Sequence, residues 1–188
     1  MNALLLDASP SASHSSSRAA DALHAALAAR GTQVDRVIVR DLNLHPCTGC
    51  FGCWTKRPGE CLIADDGPPL AARVIASDVL AVACPVSFGM WGSLAKSAFD
   101  RMIGLVLPHF TKIDGEVHHE PRYARYPHWI ALGTQRRPNA DAAALFAQLV
   151  ARNAINFHSP SHAAEVVSEH EAAAAAADRL AVSVEVGS

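Results

Sequence analysis

Five short apolar runs, each followed by residues at helical spacing, restrict the fold of this 188-residue chain more than any other feature. Val79 to Cys84 is the clearest: six consecutive apolar residues, the pattern of a strand buried on both faces. Ala3 to Leu6 and Val34 to Val39 precede it, and His128 to Leu132 and Ala163 to Val167 follow. Between and after them, Arg18 to Arg30, Pro68 to Ile75, Trp91 to Val106, Ala140 to Ile155 and Glu169 to Val182 read as helices. Alternation of this kind predicts an α/β sandwich of three layers, a five-stranded parallel sheet with helices on both faces. The length suits one domain, and no linker or repeat divides residues 1–188. Gly187 and Ser188 read as a frayed end.

Several function classes drop out on composition. A formal net charge of −2 gives no basic field for nucleic acid. No apolar run approaches the roughly 20 residues that span a bilayer, and no basic-then-apolar leader precedes the first strand. A cytoplasmic protein is expected, with its five cysteines reduced. The ten histidines show no metal-ligand spacing, and His45 beside the cysteines is a lone candidate for nucleophilic chemistry. Cys84 lies inside the apolar run and reads as a small core residue.

In a parallel α/β sheet, ligands sit beyond the carboxyl ends of the strands. Three loops fall there. The first carries Ser9, Ser11, Ser13, Ser15, Ser16 and Ser17 between a strand and a helix. Unpaired helix N-terminal N–H groups, the helix dipole and hydroxyl donors make such a loop an anion site; helix capping alone is the competing reading. No Gly-x-Gly-x-x-Gly or Gly-Lys-Ser/Thr occurs, which excludes the usual dinucleotide and NTPase loops. The second loop is Pro85-Val86-Ser87-Phe88-Gly89-Met90-Trp91-Gly92, whose apolar faces and amides suit a planar heteroaromatic ring. Amides from Ser87 to Gly92 could stabilise a reduced, anionic form of such a ring. Gly133-Thr134-Gln135 is the third.

Two connections, Asp41 to Gly67 and Pro108 to Pro127, are long enough to be functional or interface-forming. The first holds Cys47, Cys50, Cys53 and Cys61 at spacings of two, two and seven. Four cysteines this close can hold a [4Fe-4S] cluster or a tetrahedral zinc, or can simply pack.

On Ala8-Ser9-Pro10 with its serine loop, on residues 85–92 and on the cysteine segment, the chain resembles the flavodoxin-like NAD(P)H-dependent FMN reductase superfamily over nearly its whole length. It departs at Ala8, often Gly there, and at Ser11, often basic. The resemblance implies a flavodoxin-like fold and FMN, with its phosphate on Ser9, Ser11, Ser15, Ser16 and Ser17. It implies the isoalloxazine against Pro85, Val86, Ser87, Phe88, Gly89 and Trp91, with Gly133 and Thr134 closing another side. NAD(P)H would be the hydride donor, a flavin, quinone, other small molecule or protein the acceptor, and no side chain is assigned as a catalytic acid or base. The cysteine segment is similar to the compact motif of iron–sulfur flavoproteins, implying [4Fe-4S] on Cys47, Cys50, Cys53 and Cys61. FMN sites in the superfamily often lie between subunits, implying a homodimer or higher homo-oligomer. Two other readings stand beside this one: an FMN electron carrier without nicotinamide activity, and a zinc-stabilised, non-redox binding module.

Overall fold

The computed structural model describes residues 1–185, so the Gly187–Ser188 end lies outside the described residues. The elements are β1 (Asn2–Asp7), α1 (Ser15–Ala29), β2 (Gln33–Ile38), α2 (Gly52–Thr55), α3 (Gly67–Ala76), β3 (Val79–Ser87), β4 (Met90–Trp91), α4 (Ser93–Asp100), β5 (Val106–Ile113), β6 (Glu116–Pro121), β7 (His128–Gln135), α5 (Ala140–Asn156), β8 (His162–Ser168) and α6 (Ala174–Glu185). Five of the strands form one parallel sheet in the order β2-β1-β3-β7-β8. That is the flavodoxin-like strand order, with its switch point between β1 and β3.

Residue alternation along the strands divides the core. Ala3, Leu5, Ala81 and Ile130 face α1 and α6, where Leu23, Leu27 and Leu180 meet them. Leu4, Leu80, Val82 and Trp129 face the opposite layer, against Leu70, Val74, Phe146 and Val150. Because the central strands are covered on both sides, their sequences are apolar throughout rather than alternating. No helix among the described residues is long and apolar enough to cross a membrane.

Three expectations need correction. Residues 91–106 are not one helix. Trp91 is held extended in β4, paired antiparallel with Val86; α4 starts only after Gly92, and a 3₁₀ turn at Ile103–Leu105 leads into β5. The segment 108–127 is not an irregular loop. Most of it belongs to the antiparallel β5–β6 hairpin, turned at Asp114-Gly115, whose φ values of 51° and 87° are those of a type I′ turn. In addition, α6 starts at Ala174 rather than near residue 169, after a turn in which the Ser168 amide donates to Glu171.

Candidate functional site

The apolar run of β1 ends in a charge. Asp7 is fully buried, and burial pushes its carboxyl up. The Ser9 hydroxyl and amide and the Arg36 guanidinium outweigh that and hold it below the ordinary carboxylate value. Arg36 Nη2 donates to Asp7 at 2.7 Å, and its Nη1 reaches Asp21 at 2.5 Å. The Ser9 amide and hydroxyl both donate to Asp7 Oδ1, and the Ser17 hydroxyl donates to Oδ2 at 3.3 Å. Ser16 completes the knot by donating to Ser9 Oγ at 3.0 Å. Three of the five serines assigned to an anion therefore turn inward.

Ser11 and Ser15 face outward or half outward. Ser11 Oγ lies 3.2 Å from Ser13 Oγ on the surface. Ser15, the first residue of α1, donates its hydroxyl to Thr134 Oγ1 at 3.2 Å, tying the first loop to the third. His14 caps α1: its Nδ1 accepts from the Ser16 amide, and no acidic residue occupies the first helical turn. Two arginines flank this loop. Arg18 donates to the Ser13 carbonyl and Arg40 to the Ser9 carbonyl. Both bring positive charge where Ser11 has none. Arg18 directly follows the serines and could have been read as part of the loop; Arg40 lies beyond β2 and could not.

The second loop is tighter than expected. Residues 85–91 form a β3–β4 hairpin turned by Phe88 and Gly89, at φ 51° and 74°. A type I′ turn favours Asn, Asp or Gly at its first central position, so an aromatic there is strained. Phe88 is nonetheless 96% exposed. Gly89 is the one residue of the turn that packs inward: a Cβ on it would stand 2.6 Å from Leu145 Cδ2. The Gly92 amide donates to the Pro85 carbonyl at 3.0 Å, so it is turned inward rather than toward a ring. Pro85 and Val86 are half-buried, Ser87 is exposed and Trp91 is buried against Phe99 and Phe146. Gly133 lies under Val86, where an added Cβ would come within 2.5 Å of Val86 Cγ2. In the sheet Cys84 pairs with Gly133 and Pro85 with Thr134. Cys84 itself is buried, and burial pushes its thiol up to about 12, as suits a core residue.

The four other cysteines gather around a cavity of about 40 Å³ that Ile63 and Arg101 also line. Cys47 and Cys50 are exposed, Cys61 is half-buried and Cys53 is buried in α2. Phe51 enters α2 in the left-handed conformation, φ 53°. Trp54 pegs the segment down by donating its indole N–H to the Val106 carbonyl at 2.9 Å. Burial, and then the neighbouring Cys61, Cys47 and Cys50, push the Cys53 thiol up. The Gly52 amide and Thr48 hydroxyl lower that of Cys50. No three His, Cys, Asp or Glu side chains among the described residues converge on one ion. His45 gives its amide and approaches with its ring to Asp65, which accounts for it structurally. A cavity of about 480 Å³ adjoins the cysteine segment along α4 and α5. Of the residues assigned from sequence, Cys47 and Trp91 line it, beside Phe51, Met90, Lys96 and Trp129.

Known proteins bear on this arrangement. The chain is 31% identical over 81 residues to the iron–sulfur flavoprotein of Methanosarcina thermophila, covering 43% of this chain and 41% of that one. It is 32% identical over 103 residues to the iron–sulfur flavoprotein of Archaeoglobus fulgidus, covering 55% and 46%. The match thus spans less than half the length of either relative. In structure it is similar to the NAD(P)H:quinone oxidoreductase from Methanothermobacter marburgensis, with a TM-score of 0.72 at 14% identity, over 96% of this chain and 97% of that one. It is also similar to the azoreductase from Bacillus anthracis, with a TM-score of 0.65 at 12% identity, over 100% and 96%. These two establish the flavodoxin-like fold. The sequence profile of the NADPH-dependent FMN reductases matches residues 1–113, well over half of the chain, and the chain belongs to that family of flavin-dependent NAD(P)H oxidoreductases.

Proposed function

We propose that the chain binds FMN on the rim formed by the ends of β1, β3 and β7, takes reducing equivalents from a nicotinamide, and passes them to a small-molecule or protein acceptor. The observation that carries this reading is the direct linkage of the three loops: Ser15 bonds Thr134, and Gly133 abuts Val86. The residues fit the cofactor. The acid-free first turn of a 15-residue helix, where His14 caps only the Ser16 amide, hydroxyls of Ser11 and Ser15, and nearby Arg18 and Arg40 suit a phosphate monoester. Arg36 neutralises Asp7 beneath the loop, so the buried carboxylate does not repel that phosphate. Exposed Phe88 and Met90 offer apolar surface to a ring. Bound FMN would accept hydride and release electrons singly or in pairs. The protein's part is to hold the ring, fix the phosphate and exclude water.

The inward serines divide the phosphate assignment into two testable roles. Ser15→Ala should weaken FMN binding about tenfold while leaving unfolding nearly unchanged. Ser17→Ala removes a bond to buried Asp7 and should cost about 1–3 kcal/mol of stability. Flavin-fluorescence titration and urea unfolding of both variants check this, and equal flavin affinity in wild type and Ser15→Ala would count against the placement.

For Cys47, Cys50, Cys53 and Cys61 we favour [4Fe-4S]. What supports the cluster is the similarity to two iron–sulfur flavoproteins and the gathering of all four cysteines around one cavity. Anaerobic purification with iron, sulfide, zinc and flavin assays on one sample tests the whole assignment. Bound zinc with no iron favours the structural module. Flavin without NADH or NADPH oxidation favours the carrier. Exposed Phe88, Phe110 and Val117 support association of copies, which sedimentation would measure.

A further inference from the structure

Two buried indoles on one cavity lack a partner. Trp91 of β4 and Trp129 of β7 are 6% and 3% exposed, and the Nε1–H of each is buried with no acceptor. Trp54 shows the ordinary arrangement, donating to the Val106 carbonyl. A buried indole N–H normally finds an acceptor, and one without loses its water uncompensated. Here two stand together, ring centroids 6.2 Å apart and 28° from parallel. Both line the cavity of about 480 Å³ between α4, α5 and the cysteine segment.

That volume is in the range of a pocket for a small organic molecule. Phe99 and Phe157 stand edge-on to Trp129, at centroid distances of 5.2 and 5.5 Å, so the buried wall is aromatic. Phe51 and Met90, both about half exposed, mark the open side. The polar lining is sparse. Lys96 and Asp100 pair at 2.5 Å, so the lining carries no net charge. Asn156 Oδ1 accepts from the His119 amide, which leaves the Asn156 NH₂ as a further donor. The cavity therefore offers flat apolar surface and donors in search of oxygen. Trp129 lies five residues before Thr134 on β7, roughly 16 Å along the strand from the rim loops.

We propose that this cavity is a second ligand site, separate from the β1–β3–β7 rim, for a neutral, planar, fused-ring aromatic molecule whose oxygens accept from the Trp91 and Trp129 indoles. The rings of the occupant stack among the aromatic walls, and its oxygens supply the acceptors that the protein does not. Each indole turns slightly into the open volume to meet them. Binding makes and breaks no covalent bond and transfers no electron. Trp91 pairs with Val86, so an occupant touches the second rim loop from behind. The inference stands without the FMN reading, since neither the serine loop nor residues 133–134 line the cavity.

The test titrates isotope-labelled protein, as purified, with two probes of one shape: chromone, a neutral fused ring bearing oxygens, and naphthalene, which has none. Chromone should move the indole N–H resonances of Trp91 and Trp129 downfield, each assigned from its Trp→Phe variant, and leave that of Trp54 in place. Naphthalene should bind at least fivefold more weakly, and the anionic chromone carboxylate at least tenfold more weakly. Trp129→Phe keeps an aromatic wall and loses the N–H; it should weaken chromone about fivefold and naphthalene less than twofold. Leu149→Phe, which fills part of the cavity, should weaken both. Flavin fluorescence should show no release of FMN by chromone. Unmoved Trp91 and Trp129 resonances at the solubility limit of chromone, or equal affinity for chromone and naphthalene, overturn the proposal. One-for-one displacement of FMN would put chromone on the rim and overturns it equally. Should Trp129→Phe fail to fold, the wild-type resonances and the probe comparison decide. Protein that neither carries nor takes up flavin fails the FMN reading and leaves this test intact.

Discussion

Asp65→Ala is expected to lose about 3–5 kcal/mol of folding stability, because removing one partner of the buried Asp65–Arg101 ion pair strands the other. Arg101 would keep only two backbone carbonyls against a full charge in a site closed to water. Urea unfolding followed by circular dichroism measures the loss. Replacing both partners with apolar residues, Asp65→Leu with Arg101→Met, should recover part of it, since the pair's desolvation cost disappears together with its attraction. A loss below about 1 kcal/mol in the single variant would mean that the pair is not sealed. The pair also sets a pH dependence. The Arg101 guanidinium first, then the His45 and Gly67 amides, hold the Asp65 carboxyl well below the usual carboxylate range, against the opposing effect of burial. The unfolded carboxyl titrates near ~3.9. Its contribution is therefore fully present above that value and drains away as the pH falls toward the lower folded-state pKa. The stability gap between wild type and Asp65→Ala should be constant near neutrality and close below about pH 4.

Gly133→Ala is expected to weaken FMN binding tenfold or more and to cost about 1–3 kcal/mol of stability through overpacking. The site lies within β7, and the residue has no left-handed backbone, so the penalty is steric. The new methyl would stand 2.5 Å from Val86 Cγ2 and 3.2 Å from both Phe146 and Val166. Valine is stiff about χ1 and cannot swing clear, so the strain passes to the end of β3 and to the Phe88-Gly89 turn. Pairing the change with Val86→Ala should restore most of both losses. Flavin titration and unfolding of the single and double variants decide it; a tight-binding Gly133→Ala protein would show that Val86 does not shape the ring site.

The central strands were legible because burial on both faces leaves continuous apolar runs, as at residues 79–84. Cys84 was legible for the same reason. The β5–β6 hairpin was obscured by Pro108, His109 and Lys112, which break any simple alternation, although Asp114-Gly115 is a hairpin signal that could have been read. Trp91 looked helical because its spacing to Leu94 and Ala98 is right; its pairing with Val86 is a tertiary fact. The serine loop could be placed, but the direction of each hydroxyl could not. That depends on a carboxylate at the end of β1 and on Arg36 from β2, which meet only in the folded sheet. The Asp65–Arg101 pair joins residues 36 positions apart and leaves no local trace.

That same pair fastens the chain at His45 and at Ile63, just outside the first and last clustered cysteines. A loop buckled at both ends behaves as a cassette. Its interior can lengthen, shorten or exchange its cysteines while the doubly wound scaffold feels only the two fixed ends, so change inside the segment need not disturb the rim formed by the ends of β1, β3 and β7.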